Sequence, residues 1–444
     1  MNNNPVIIIP GIGQSKLVLC DDNGNKIKNV WPFEIDTKAI LNELKGSLMK
    51  LMLFKKDAGF SDRIAEIVSD IAEPLAVNPD GTKKHNVRPV EFRKPLSEFT
   101  AEEKAFVYKT APLDMFGEKI SEDRIFFFAY DFLGDIADIA SSLDSFVEFV
   151  KESAKSEKVD FLVIGTAGSV LKAYIKDYGV KSHCAKIVCA AAALDGMSLV
   201  ADFYENNLRI EDPISLLSAL GGKIATVSSM AGMLPGDVLN NIITKSLDVI
   251  RTLITDNCTA LYALVPADRT DAVISCVGMD DKLLAKVKEY SDYSRSFASV
   301  ISGYDYYLLG GCGKKLPPVA SDENADSDGL VDTASATLGL SSGNVMLFDG
   351  QSHDSVLYND AAMSFVLKFL CGEDVSDYPA KNGSRSVKKL KNVIIPKLVA
   401  DGSSEAEECI NEYKNLIGAV VIENDTAIKN LESKSESIIS SGNA

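Results

Sequence analysis

Short apolar runs alternate along the chain with segments in which apolar residues recur at helical spacing. The runs predict strands buried on both faces, and the spaced segments predict amphipathic helices. This alternation favours an α/β fold, with a mostly parallel sheet covered by helices on both faces. The predicted strands are 6–9, 125–129, 161–164, 187–191, 304–309 and 345–348, and the predicted helices are 136–152, 170–178, 282–302 and 361–370.

The pattern between residues 196 and 295 is helical and contains no convincing strand. Apolar residues recur there on one predicted helical face, at Ile242, Leu247, Ile250 and Ile254. A helical insertion at this place predicts a cap over the strand ends, and simple packing onto the core is the alternative. The expected division is a core of 1–195 and 296–380, a cap of 196–295, and a helical, partly disordered tail of 381–444.

The charge balance bears mainly on the choice of partners. With 46 basic and 63 acidic residues, the net charge of −17 disfavours nucleic acid and anionic membrane surfaces. The first residues contain no leader-like segment, no stretch is apolar enough to span a membrane, and the eight cysteines show no C-x-x-C pairing. We therefore expect a cytoplasmic protein with reduced thiols and with neither metal nor other cofactor, and its oligomeric state stays open.

Residues 160–169, Asp-Phe-Leu-Val-Ile-Gly-Thr-Ala-Gly-Ser, combine an apolar strand, a turn and the start of a helix. This is the context of a nucleophile elbow, in which G-x-S-x-G presents a reactive serine above the strand ends. The central position of the pattern is Ala167, which has no oxygen to attack with. Such an apex is held at positive φ, so we expect Ala167 to keep a strain of about 1–3 kcal/mol.

Three further segments supply the other groups that such a site needs. The first predicted strand ends in a Pro-Gly turn, where the N–H of Ile12 could face a developing oxyanion together with that of Gly168. Asp328 lies in an acidic turn, and His353 lies in the loop after the last predicted strand. Each segment alone is typical of an ordinary turn or surface loop. Their order, nucleophile position then acid then histidine, is that of the α/β hydrolases and predicts that fold.

These segments together resemble the lecithin:cholesterol acyltransferase and lysosomal phospholipase family of α/β hydrolases. The resemblance covers residues 5–371 in pieces, at 9–17 (Pro-Gly…Ser-Lys-Leu), 127–132 (with Tyr-Asp), Leu234-Pro235, 326–331 (the acid loop), and His353 with Leu357 and Asp360. The chain departs from the family pattern where Phe132 and Leu133 replace Trp and Arg, where Ser327 and Ser169 replace Gly, and at Ala167.

The resemblance implies a serine that attacks a lipid ester, forms an acyl-enzyme and passes the acyl group to water or an alcohol. By position it implies Asp328 as the acid, His353 as the base, and Ile12 with Gly168 as oxyanion donors. Ala167 then stands where the nucleophile belongs. The implied ligand is an acyl ester or lipid-like small molecule.

Neighbouring hydroxyl groups offer no replacement for the missing nucleophile. Ser169 lies one turn into the predicted helix, and the side chain of Thr166 diverges from the apex. Because removing a triad serine costs about a millionfold in turnover, we expect an acyl-hydrolase or acyltransferase architecture that is inactive or nearly so. The alternative is a natural pseudo-hydrolase that binds an acyl or other apolar molecule under the cap.

Overall fold

Strands and helices alternate along the chain in the computed structural model. The structure describes residues 4–34, 36–54, 56–116, 119–179, 183–209, 234–340, 343–375, 398, 403–407, 409–410 and 434–435. The strands are β1 (Val6–Ile9), β2 (Leu17–Cys20), β3 (Lys26–Trp31), β4 (Val87–Pro89), β5 (Ile125–Phe127), β6 (Val159–Ile164), β7 (Cys184–Ala190), β8 (Asp305–Cys312), β9 (Lys314–Lys315), β10 (Asp326–Ser327) and β11 (Val345–Asp349).

The helices fill the connections between these strands. They are α1 (Thr37–Phe54), α2 (Phe60–Ala72), α3 (Ala101–Val107), α4 (Leu113–Phe116), α5 (Ile136–Ala154), α6 (Gly168–Tyr178), α7 (Ser198–Tyr204), α8 (Gly236–Leu253), α9 (Thr259–Tyr262), α10 (Thr270–Cys276), α11 (Asp281–Ile301), α12 (Thr333–Thr337) and α13 (Asp360–Cys371). None of the described helices is long and apolar enough to cross a bilayer.

The central sheet has six strands in the order β11-β8-β7-β6-β1-β5, and every neighbouring pair is parallel. A separate antiparallel sheet has the order β3-β2-β4, and β9 pairs with β10. The predicted parallel sheet is therefore confirmed. Each predicted strand and helix of the sequence pattern is present, with ends shifted by a few residues.

Alternate residues of the central strands enter two different hydrophobic cores. In β6, which is buried at all six positions, Phe161 and Val163 pack on one face with α5, α6 and α11. Leu162 and Ile164 pack on the other face with α4 and α13. Helices thus cover both faces of the sheet, which is why its strands read as continuous apolar runs in the sequence.

The described part of the predicted cap region contains helices α7 to α11 joined by turns, and no strand. One part of it packs on the sheet, because Tyr290 of α11 belongs to the core that contains α5 and α6. Another part packs away from the sheet, where Val238 of α8 meets Phe60 and Ile67 of α2. Residues 210–233 and nearly all of 381–444 lie outside the described residues, and the domain boundaries stay predictions.

A buried lysine joins α6 to α11. Lys172 is only 1% exposed, its Nζ donates to Ser294 Oγ at 2.9 Å, and Nζ lies 5.1 Å from the centre of the Tyr290 ring. Burial lowers the pKa of Lys172 to about 8, and the negative charge of Asp195 opposes that shift. The folded protein therefore holds this ammonium group at a cost in free energy at neutral pH.

We expect Lys172→Met to raise the free energy of unfolding at pH 7 by on the order of 1–3 kcal/mol, because methionine fills similar space without a buried charge. A free lysine titrates near 10.5, so between about pH 8 and 10.5 the unfolded chain binds more protons than the folded one. The native protein gains stability over that range, and the advantage of the variant shrinks. Urea unfolding at pH 7 and pH 10 measures both effects, and an advantage that is equal at the two pH values would contradict the prediction.

Candidate active site

Loops after four parallel strands meet at one edge of the central sheet, because parallel strands carry their carboxyl ends to the same side. They line a cavity of about 510 Å³, a volume typical of small-molecule sites. Ile12 follows β1, Gly165 follows β6, Ala191 follows β7 and His353 follows β11 in this lining. The topology thus gathers residues that are far apart in the chain.

A carboxylate and an imidazole form a hydrogen-bonded pair beside the cavity. Asp328 Oδ2 lies 2.9 Å from His353 Nδ1, and the backbone N–H of His353 donates to the Asp328 carbonyl at 3.0 Å. Asp328 Oδ1 accepts the N–H groups of Leu330 and Val331 at 2.9 and 2.8 Å, and the residue is 1% exposed. With a hydrogen on Nδ1 donated to the carboxylate, Nε2 is left as an acceptor.

That Nε2 atom faces Gly165, the first residue after β6. Gly165 has φ +57°, and a Cβ atom built on it would lie 3.0 Å from His353 Nε2. A positive φ directly after the strand, with the side-chain direction toward the histidine, defines the apex of a nucleophile elbow. Glycine therefore occupies the apex of this turn, and no side chain extends from it toward His353 Nε2.

Ala167, the expected apex residue, lies elsewhere in the turn. It has φ −65° and ψ −7° at the start of α6, it is 0% exposed, and it packs in the core with α5 and α6. The predicted positive φ and its strain are therefore wrong. The glycine spacing of G-x-S-x-G takes Gly165 as its first glycine, whereas the end of β6 at Ile164 sets the position of the turn.

The two expected oxyanion donors differ in where their N–H groups point. The Gly168 N–H donates to the carbonyl groups of Gly165 and Thr166 inside the turn, and its role as an oxyanion donor stays a prediction. The Ile12 N–H does reach the cavity wall, where it donates to Thr166 Oγ1 at 2.6 Å. The Thr166 hydroxyl thus takes the donor that a substrate oxygen would need. Ser169 donates its hydroxyl to the Thr166 carbonyl at 2.9 Å, as expected for a side chain directed away from the apex.

Hydrogen bonds from distant residues hold the turn that carries Ile12. The buried Tyr130 donates its hydroxyl to the Pro10 carbonyl at 2.7 Å, and the Tyr130 N–H donates to Ser15 Oγ at 3.1 Å. Trp31 Nε1 donates to the Gly13 carbonyl at 2.7 Å. Burial raises the pKa of the Tyr130 hydroxyl, so it stays a neutral donor. The Tyr-Asp segment was visible in the sequence, but its contact with this turn was not.

Close packing brings the acid loop and the histidine loop together over the end of β8. A Cβ atom on Gly311 would overlap the carbonyl oxygen of Gln351 and would come within 2.7 Å of Asp328 Cβ. Glycine is therefore required there by the approach of the two loops. Gly310 and Gly311, which follow the predicted strand 304–309, continue β8 and pair with Leu347 and Phe348 of β11.

Comparison with known proteins gives only distant similarity. No family model matches the chain, and no curated protein matches it. The mature Bacillus licheniformis lipase BlEst2 is 12% identical with a TM-score of 0.31, over 63% of this chain and 89% of that one. The Tle4–Tli4 complex is 12% identical with a TM-score of 0.34, over 83% and 97%. The Exiguobacterium antarcticum esterase EaEST is 10% identical with a TM-score of 0.28, over 59% and 87%.

Strand order and loop placement decide the fold. The six parallel strands carry a tight turn after β6, an acid after the β8 region and a histidine after β11, in the chain order nucleophile position, acid, histidine. The fold is that of the α/β hydrolases. The similarity values above are too low to bear on activity. Among the residues that the structure describes, no group of three or more His, Cys, Asp or Glu side chains is placed to hold a metal ion.

Proposed function

We propose that this protein binds a small acyl ester or acyl-like molecule in the cavity beside His353 and does not form an acyl-enzyme. The observation that carries the proposal is that His353 Nε2 faces the side-chain position of Gly165, where a Cβ atom would lie 3.0 Å away. An imidazole oriented by a carboxylate faces the apex of an elbow, and the apex has no nucleophilic atom. The site keeps a general base but has lost the group that the base would activate.

The cavity lining supports a ligand with an apolar part and a carbonyl. Its apolar side chains are Ile12, Ile164, Ala190, Ala191, Leu330, Val356 and Leu357, and its polar side chains include those of Gln14, Thr110, Thr166 and His353. Ligand sites of this kind combine an apolar wall with a few polar groups that fix orientation. The resemblance to the lecithin:cholesterol acyltransferase and lysosomal phospholipase family makes a lipid-type ester the first class to test.

Two features of the site weigh against turnover through an acyl-enzyme. Loss of a triad serine removes about a millionfold in turnover and leaves roughly 10³–10⁴ over water. The Ile12 N–H is also bonded to the Thr166 hydroxyl rather than free for a substrate oxygen. Binding of the ligand is therefore expected to exceed its chemical conversion.

The first experiment returns a nucleophile to the apex with Gly165→Ser. A Cβ atom at this position would lie 3.0 Å from His353 Nε2, so the imidazole must move back by a few tenths of an ångström, and the new hydroxyl then completes a Ser-His-Asp arrangement. We expect this variant to be labelled by a fluorophosphonate, seen as one adduct per chain by intact mass, and to release p-nitrophenol from p-nitrophenyl butyrate in a burst. The native protein is expected to show neither.

Ala167→Ser is the matched control for this experiment. It adds the same hydroxyl two residues away, at a position that is 0% exposed and outside the cavity lining, so it is expected to stay unlabelled. Labelling of Ala167→Ser but not of Gly165→Ser would reverse the assignment of the apex. Labelling of the native protein would make another hydroxyl, with Thr166 the first candidate, the nucleophile. Rapid ester cleavage by the native protein without labelling would show direct activation of water by His353.

The second experiment concerns the Thr166 hydroxyl in the Gly165→Ser background. Adding Thr166→Ala removes the acceptor that occupies the Ile12 N–H, which then becomes available to a substrate oxygen. Because an oxyanion donor acts mainly in the transition state, we expect kcat to rise about tenfold or more while KM changes little. Steady-state kinetics on p-nitrophenyl butyrate measures both values. A fall in kcat would instead show that the threonine hydroxyl itself assists the reaction.

The third experiment tests binding without chemistry. We expect butyramide, an uncleaved analogue of a short acyl ester, to show saturation-transfer signals with the native protein and to compete with longer amides. Leu330→Trp enlarges a half-buried side chain of the cavity wall and is expected to abolish these signals without changing the unfolding temperature. Tyr178→Trp, at an exposed position outside the cavity lining, is the control and is expected to bind normally. Signals that survive in Leu330→Trp would place the ligand elsewhere.

A further inference from the structure

Helix α1 is anchored to the protein by one face. Leu44 and Leu51 are 8% and 3% exposed and pack with Phe60 and Ile67 of α2 and with Val238 of α8. These contacts fix the helix in place along its length. The opposite face is therefore presented to the surroundings in a defined orientation.

Large apolar side chains occupy that opposite face, which we call the α1 outer face. They are Leu41, Met49, Met52, Leu53 and Phe54, exposed by 48%, 56%, 66%, 71% and 66%. Positions 41, 45, 49, 52 and 53 lie on one side of α1, since residues three and four apart in a helix are neighbours. This clustering at the end of one helix differs from the scattered single apolar residues of an ordinary protein surface.

Lysines are interleaved with these apolar residues. Residues 37–56 contain five lysines and one glutamate, in a chain whose net charge is −17. The glutamate, Glu43, pairs with Arg63 of α2. Lys45 and Lys50 are exposed and take part in none of the ion pairs found among the described residues. The outer face is thus a local cationic and apolar surface on an acidic protein.

We propose that the α1 outer face binds an anionic lipid surface. Met, Leu and Phe side chains can enter the boundary between headgroups and acyl chains while lysine stems extend to the lipid phosphates. A second copy of this face would instead bring Lys45 and Lys50 toward like charges without acidic partners, which is costly in a dry interface. The net charge of the whole chain does not prevent this binding, because screening limits each charge to about 8 Å at physiological salt.

Vesicle flotation of the full chain tests the proposal. We expect the protein to float with phosphatidylcholine vesicles that contain about 30 mol% phosphatidylserine and to stay unbound with phosphatidylcholine alone. The double variant Met52→Glu/Leu53→Glu is expected to lose at least about tenfold in partitioning, because it places charge where the apolar contact forms. Lys45→Glu/Lys50→Glu is expected to weaken binding to the phosphatidylserine vesicles, because it replaces two positive charges that attract the anionic lipid with negative ones.

Ile27→Glu serves as the matched control, because Ile27 is 60% exposed but lies on β3, outside the α1 outer face. It is expected to bind vesicles like the native chain, and circular dichroism checks that every variant is folded. Absence of flotation with either vesicle, or an equal loss in Ile27→Glu, would overturn the proposal. So would a native dimer in light scattering that becomes monomeric in Met52→Glu/Leu53→Glu, since a second copy would then cover the face. These outcomes do not depend on whether the cavity binds an acyl ligand.

Discussion

The hydrogen bond between Asp328 and His353 is the interaction on which the site depends. It joins the loop after β10 to the loop after β11, and the backbone N–H of His353 reinforces it by donating to the Asp328 carbonyl. The carboxylate is itself held by two backbone N–H groups, so its position is set before the imidazole is placed. The imidazole orientation, and with it the direction of Nε2, follows from this one contact.

Glycine residues make the surrounding geometry possible for different physical reasons. Gly165 adopts a positive φ, and its carbonyl accepts the N–H of Ala193 at 2.9 Å, which ties the turn to the segment after β7. Gly168 has an ordinary helical conformation, but a Cβ there would lie 2.8 Å from the Ala193 carbonyl oxygen. Gly311 allows the acid and histidine loops to approach. The three glycines together bring a base, a turn and a cavity wall into contact.

The arrangement contains several of the parts that an α/β-hydrolase site needs. His353 Nε2 is oriented toward Gly165, which has no side chain, and the Ile12 N–H after β1 reaches the same cavity wall. That N–H already donates to Thr166 Oγ1. A cavity with an apolar wall remains beside them. The proposed function rests on these features, because orientation and burial persist when the nucleophile is absent and recognition is then expected to exceed turnover.

Much of this fold is determined by local sequence patterns. Continuous apolar runs predict the central strands, because a strand buried on both faces needs apolar residues at every position. Apolar residues at helical spacing predict the helices, because only one face of each helix is buried. The same reading placed Asp328, His353 and Ile12 in loops after strands, where the structure brings them together. It could not say which residue of 165–169 forms the apex, and it chose Ala167 by spacing to a glycine.

The tertiary structure places Gly165 at the apex instead, because the end of β6 and the distant imidazole of His353 together set the turn. It likewise decided that Thr166 meets Ile12, that Gly168 bonds within its own turn, and that one face of α1 stays uncovered. Those contacts join segments far apart in the chain, and local periodicity carries no information about which distant groups will meet.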